Sequence, residues 1–262
     1  MDELENLKLF YKSEHKESEH FTAYAEYQGE AVVVKRGGEE VHREAIILRR
    51  LHGMTLPKLI DSFEKDGVGY LIIERLAGQP LSQRIDLKSD WTSLPMPKSD
   101  AISLIGEIAK SFSEVNSSGY YYRDLNLAHI LVSEDGIKLV DHEANVSFDT
   151  NGAAIVDNLA GTWETMAPEE FELGSCMTEA SQVFTLGTVL HQLVIGSSLF
   201  YIDPEEVEDT VARRANTKEK MRAFTGIDMG DERLNYVINK SLNFRASERF
   251  SSIEGFISAL NS

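Results

Sequence analysis

Residues 121–132 read YYRDLNLAHILV and residues 138–144 read KLVDHEA. Each stretch sets an aspartate, Asp124 or Asp141, at the edge of an apolar run. A buried carboxylate is costly without a compensating partner, so two at strand-like edges point to a shared ligand, often a metal ion. Taken singly, each aspartate also reads as an ordinary turn residue. HILV (129–132) and IKLV (137–140) are joined by SEDG, in which Glu134-Asp135-Gly136 supplies turn chemistry, and this pattern predicts a hairpin. The hairpin puts Asp124 just before its first strand and Asp141 just after its second, so both carboxylates reach the same end and face one cleft. Transfer of a phosphoryl group needs such a pair, one carboxylate to orient a hydroxyl and one to hold Mg²⁺ on the phosphates.

Around this hairpin the chain divides unequally. From about Phe21 to Leu76 strand patterns prevail: FTAYAEYQ alternates, and AVVVK and VGYLIIERL are β-rich. One helix interrupts them, with Val41, Glu44, Ile47, Leu48 and Leu51 at helical spacing. Gly78-Gln79-Pro80 breaks the chain. Beyond a polar loop, Ala101, Leu104, Ile105, Ile108, Phe112 and Val115 form an apolar helical face, with Ser99 as the expected N-cap. Further helices are predicted near 179–195, 204–224, 231–242 and 252–260. The expectation is an α+β chain forming a single domain over 1–262, with a small β-rich N-lobe (1–77) and a larger, mainly helical C-lobe (78–262).

Composition narrows the function. The 262 residues suffice for a substantial core. Lys and Arg total 26 against 43 Asp and Glu, a formal charge of −17, which disfavours nonspecific binding to nucleic acid or an anionic membrane. A single cysteine, Cys176, admits no internal disulfide and fits a reducing compartment. No run approaches a membrane span, and MDELENLKLF has no apolar signal core, so a cytoplasmic location is expected.

Several further stretches fall in one order. Tyr122-Arg123-Asp124-Leu125 with His129-Ile130-Leu131-Val132 resembles the H-R-D-L-x-x-x-x-N-I-L-V loop of the eukaryotic-like protein kinase superfamily. Asp141-His142-Glu143 stands where that family has D-F-G, and Val32-Val33-Val34-Lys35 resembles V-A-I-K. Glu44 in REAIILRRL resembles the glutamate of the N-lobe helix, and LIIERLAG resembles the hinge. Gly161-Thr162 through Met166-Ala167-Pro168-Glu169 resembles G-T-x-x-Y-x-A-P-E, FTLG (184–187) the central helix, and Arg249 the late arginine that pairs with the A-P-E glutamate. V-x-V-K alone occurs in many strands; the ordered series from about Ala31 to Phe250 implies a bilobal protein-kinase-like fold.

The resemblance implies roles. Lys35 holds the α- and β-phosphates of ATP and is fixed by Glu44. The backbone of Glu74 and Leu76 bonds adenine, Val33 and Leu131 sandwich its ring, and Ile73 guards the back of the pocket. Asp124 orients the substrate hydroxyl, Asn126 stands at the catalytic-loop lysine, and Asp141, His129 and Glu143 are the candidate ligands of Mg²⁺ or Mn²⁺. Thr162 bonds towards Asp124, as in Ser/Thr-directed members. Lys35→Met is expected to abolish transfer while sparing the fold, on the view that a surface lysine adds little stability.

The departures carry information of their own. No G-x-G-x-x-G precedes Lys35; the equivalent turn, near EHFTAYAEYQG, has only Gly29. Asn126 removes a positive charge, and His129 replaces an oxygen ligand with imidazole, which suits softer ions than Mg²⁺. Gln182 replaces a central-helix aspartate and is expected to accept one hydrogen bond from the catalytic-loop backbone. D-x-E at 141–143 resembles the kinase domains of bacterial lanthipeptide synthetases, and a histidine five residues after the catalytic aspartate resembles the lipopolysaccharide heptose kinases. Three functions follow: an ATP-dependent kinase acting on Ser/Thr of a protein or peptide, a pseudokinase that binds nucleotide or partners without turnover, and a small-molecule kinase for a sugar or antibiotic. Thr162 and A-P-E favour the first two.

Overall fold

Apolar residues at every second position build the first layer, because successive side chains of a strand point to opposite faces. The computed structural model describes residues 7–12, 20–51, 53–88 and 90–262. Strands β1 (Leu7–Lys12), β2 (Phe21–Tyr27), β3 (Glu30–Gly37), β4 (Leu59–Lys65) and β5 (Val68–Glu74) form an antiparallel sheet in the order β1-β2-β3-β5-β4. On β3, Val32 and Val34 pack with Ala25, Tyr27 and Ile72 into a small core on one face. Val33 and Lys35, opposite Ile73 and Leu71 in register, belong to the other face. Helix α1 (Glu39–Leu48) buries Val41, Glu44, Ala45, Ile47 and Leu48.

Two strands, β1 and β4, were not anticipated. The side chains of β4 are only half-buried or exposed, so LIDSFEK carries no clean alternation. The expected lid is also relocated. Gln28 and Gly29, both at positive φ (53° and 87°), form the two-residue turn joining β2 to β3, while FTAYAEY is strand. Residues 13–19 between β1 and β2, which include part of the presumed lid, and the acidic first six residues lie outside the described residues.

The helical layer follows β6 (Gln79–Pro80) and the single turn α2 (Leu81–Arg84). Helix α3 (Lys98–Ser117) buries Ala101, Leu104, Ile105, Ile108, Phe112 and Val115, the predicted face. Its start differs from expectation: Pro97 occupies the cap position, and Ser99 lies inside the first turn with its hydroxyl donating to Asp100 (3.0 Å). The hairpin follows as β8 (Ile130–Ser133) and β9 (Gly136–Leu139), after the short β7 (Tyr120–Tyr121). Strands β10 (Val146–Ser147), β11 (Ala154–Ile155) and β12 (Cys176–Met177) lead to α4 (Glu179–Ile195). Helix α4 is buried nearly all round, as the centre of a helical layer must be. A Cβ at Gly187 would lie 2.8 Å from that of Ser241, so the glycine lets α4 meet α6 (Glu232–Ser241). Helix α5 (Thr210–Arg222) begins later than predicted, because Asp209 caps it by accepting from Ala212 N (2.7 Å). Helix α7 (Ile253–Asn261) is the last of the described elements, and no helix among the described residues is long and apolar enough to cross a membrane.

Candidate active site

The cleft between sheet and helices is a cavity of about 440 Å³. Val33, Lys35, Ile73, Glu74, Leu76, Leu131, His129 and Asp141 all line it, so the sequence-predicted residues converge. Thr22, Ala23 and Tyr24 of β2, with Pro57 and Val140, complete the walls; no motif marked them. The Glu74 amide N–H already donates to Lys58 O (2.9 Å), so this group is not free for adenine.

Glu44 is fully buried, which demands compensation. Lys35 Nζ donates to Glu44 Oε2 (2.6 Å), and the His142 amide donates to Glu44 Oε1 (3.1 Å). Lys35 also donates to Asp141 Oδ1 (2.7 Å), tying α1, β3 and the chain after β9 to one carboxylate pair. Burial disfavours the ammonium, yet Glu44 and Asp141 outweigh it and raise its pKa. The expectation that Lys35→Met spares the fold is therefore corrected. Lys35 is only 15% exposed and is the ion-pair partner of a carboxylate with no solvent access.

Both aspartates adopt left-handed backbone, Asp124 at φ 63° and Asp141 at φ 67°. Aspartate tolerates this better than most residues, so the turn reading and the site reading hold together. Their environments differ in sign. Burial, with Asp141 nearby, raises the Asp124 pKa although Thr162 Oγ1 donates to its Oδ1 (2.6 Å). Burial opposes the Asp141 charge too, but Lys35 and then His129 hold its carboxyl below the usual range. Carboxylates pushed apart in this way suit a proton acceptor and a permanently ionised ligand respectively.

His129 lies between them. Its Nδ1 is 2.9 Å from the Asp124 carbonyl and its Nε2 3.2 Å from Asp141 Oδ2. Donation from Nδ1 to the carbonyl leaves the Nε2 lone pair facing a carboxylate oxygen, an arrangement completed by a proton or a cation between them. Ligand atoms of Asp124, His129 and Asp141 lie within 4.8 Å of one another, as do those of Glu44, Asp141 and Glu143. Two carboxylates and an imidazole fit a divalent cation, and the imidazole shifts the set away from the all-oxygen shell Mg²⁺ favours. Burial raises the Glu143 pKa, with Asp141 adding to it.

Asn126 turns back into its own loop. Its Oδ1 accepts from Ala128 N (2.8 Å) and His129 N (3.2 Å), and its Nδ2 reaches Thr162 Oγ1 (3.2 Å). Gln182 departs from expectation: its Nε2 donates to Tyr122 O (3.4 Å), while its Oε1 faces the Asn116 amide. A neutral amide carries donors that a carboxylate lacks, so the nearby carbonyl attracts them.

The segment after Asp141 is tethered from below. Arg123, with a side chain of no exposure, donates through Nε to Glu170 (2.9 Å) and through its terminal nitrogens to Asn158 Oδ1, Asn158 O and Ala160 O. Arg249 donates to both oxygens of Glu169 (2.8 and 2.9 Å), the pairing its position implied. The Arg123 anchors were not foreseen; the signal available was an arginine beside Asp124 and a second glutamate after Pro168.

A family model described as the protein kinase domain matches residues 9–259. The chain belongs to the protein kinase domain family. A probable serine/threonine-protein kinase of Clostridium perfringens is 26% identical over 172 residues, 65% of this chain and 24% of that protein. The probable serine/threonine-protein kinase PknB of Lactococcus lactis is 26% identical over 159 residues, 60% of this chain and 24% of that protein. Wall-associated receptor kinase-like 6 of Arabidopsis thaliana is 28% identical over 180 residues, 64% of this chain and 28% of that protein. Kinase-domain residues thus account for nearly all of this chain, which spans about a quarter of the length of these relatives.

Proposed function

We propose that this kinase domain transfers the γ-phosphoryl group of ATP to a serine or threonine hydroxyl of a protein or peptide. The observation carrying the reading is the convergence of Asp124, His129 and Asp141, whose ligand atoms lie within 4.8 Å of one another, with Lys35 bonded to Asp141 (2.7 Å); burial shifting Asp124 upward and Lys35 holding Asp141 downward agree with it. Lys35, held by Glu44, binds phosphate oxygens; Asp141, His129 and Glu143 are the metal ligands; Asp124 accepts the proton of the substrate hydroxyl. Val33 and Leu131 enclose the base, with Ile73 behind it and the hinge at Glu74 and Leu76 along its edge. Asn126 positions Thr162 and His129 rather than supplying charge. The bound metal supplies charge neutralisation at the phosphates when present. The Ser/Thr kinases among the relatives, and the bond from Thr162 to Asp124, support the choice of acceptor.

The reading is tested by γ-labelled ATP with a generic protein acceptor, in Mg²⁺ and in Mn²⁺, comparing the wild type with Asp141→Ala. Label transferred by the wild type and lost in the variant supports it. Nucleotide binding without transfer in either metal favours the second reading, a nucleotide-binding pseudokinase, for which the imidazole at 129 and the absent glycine-rich turn speak.

A further inference from the structure

Side chains, rather than bare backbone, roof the cavity above Lys35. Residues 13–28 contain no glycine, so the backbone there approaches a ligand less closely than a glycine-rich turn allows. Register orders two of the roof residues along the cleft. Thr22 lies opposite Lys35 and Tyr24 opposite Val33, so Thr22 belongs to the phosphate end and Tyr24 to the base end. Both line the cavity.

The surroundings of Tyr24 are unusual. Strand β2 lies inside the sheet, between β1 and β3, yet this ring is 50% exposed. The other exposed large apolar side chains of the described residues do not line the cavity. An aromatic ring left open on the wall of a binding cavity is the surface a flat ligand covers. Across the mouth stands Arg75, in the hinge between Glu74 and Leu76, which themselves line the cavity. Its guanidinium lies over the Tyr24 ring at 4.6 Å and makes no ion pair among the described residues. The contact joins the roof to the hinge and fixes the ring from one side, leaving the rest of it to the cavity.

We infer that Tyr24, held in place by Arg75, is a nucleoside-positioning residue, whose ring extends the Val33 side of the pocket outward over the purine and its ribose. The inference rests on the nucleotide-binding part of the reading above and names the side chains that retain the nucleoside at the outer end. Arg75 acts through the ring, as a positioning residue. Stacking of a base on an aromatic face is tolerant of base identity, so the contact contributes affinity and leaves the choice of base to the hinge.

The test is calorimetric titration with ATP and with adenosine, in Mg²⁺ and in Mn²⁺, of the wild type, Tyr24→Leu, Tyr24→Phe, Arg75→Gln and the Tyr24→Leu/Arg75→Gln double variant. Tyr24→Leu keeps apolar bulk but loses the ring, and is expected to weaken both ligands by about tenfold, while Tyr24→Phe binds as the wild type does. Arg75→Gln is expected to weaken both by about threefold and to add nothing in the Tyr24→Leu background. Both side chains are exposed, so the variants are expected to fold, which thermal unfolding checks; should Tyr24→Leu not fold, Arg75→Gln reads the same contact. A loss below about twofold in Tyr24→Leu, a loss confined to ATP, or independent effects of the two substitutions overturns the inference and leaves the kinase reading standing. Tyr24-dependent binding without phosphoryl transfer to any acceptor keeps the inference and sinks the kinase reading. A wild type that binds neither ligand sinks both.

Discussion

Arg249 and Lys35 are both buried cations paired with a glutamate, yet they finish differently. Arg249 uses all five donors within the protein: two on Glu169 and three on the carbonyls of Asn243, Ala180 and Phe244. Lys35 uses two of three, on Glu44 and Asp141, and its ammonium lines the cleft. A saturated cation holds a scaffold. One with a donor left over, beside carboxylates that can release it, is available to a ligand. Arg123 belongs with Arg249, because its bonds to Glu170, Asn158 and Ala160 hold the segment leading to Thr162.

The largest expected effect falls on the saturated pair. Arg249→Met removes the cation from Glu169 and leaves its carboxylate the Ser181 hydroxyl (2.6 Å), and a loss of about 3–5 kcal/mol is expected in denaturant unfolding. A loss below about 1 kcal/mol would show that the pair is not structural. Lys35→Met should cost somewhat less, about 2–3 kcal/mol, because its Asp141 side is 27% exposed and partly screened by solvent. Adding Glu44→Gln should recover part of that stability without restoring ligand binding. Recovery of both would erase the distinction drawn between the two cations.

A third effect emerges only in acid. Burial lowers the His142 pKa to about 4, and its Nδ1 faces the Asn145 amide (3.1 Å), which donates to the neutral ring. The unfolded chain takes up this proton below its ordinary value of 6.5 while the folded chain does not. Stability due to His142 is therefore complete above pH 6.5 and lost progressively towards pH 4, by roughly 3 kcal/mol. His142→Phe removes this slope, so the stability difference between variant and wild type should grow in the variant's favour as pH falls. A constant difference from pH 7 to pH 4 would contradict it. The smallest effect is chemical: His129→Asn should shift metal preference from Mn²⁺ towards Mg²⁺ by a few-fold, read from metal titrations of nucleotide binding.

Legibility in the sequence followed periodicity and charge. The face of α3, the extent of α4, the β8–β9 hairpin and the Lys35–Glu44 pair could be read, because apolar spacing and charged residues in fixed order leave few alternatives. Strand β4 escaped because its side chains are half-exposed, and the cap of α3 because Pro97 supplies it without a side-chain acceptor. At the site, the tilt of Gln182 towards Tyr122 O and the folding back of Asn126 depend on which donor meets which carbonyl, and residue type alone does not specify that. The anchors of Arg123 lie more than thirty residues away in sequence, beyond any local pattern.

The division of labour between Asp124 and Asp141 is tested most directly by comparing Asp124→Asn with Asp141→Asn in one experiment, measuring metal-dependent nucleotide affinity and phosphoryl transfer on the same samples. Asp141→Asn is expected to lose the metal dependence of binding together with turnover. Asp124→Asn is expected to keep metal-dependent binding and lose about a hundredfold or more in turnover. Unchanged turnover in Asp124→Asn, or undiminished metal dependence in Asp141→Asn, would contradict the account.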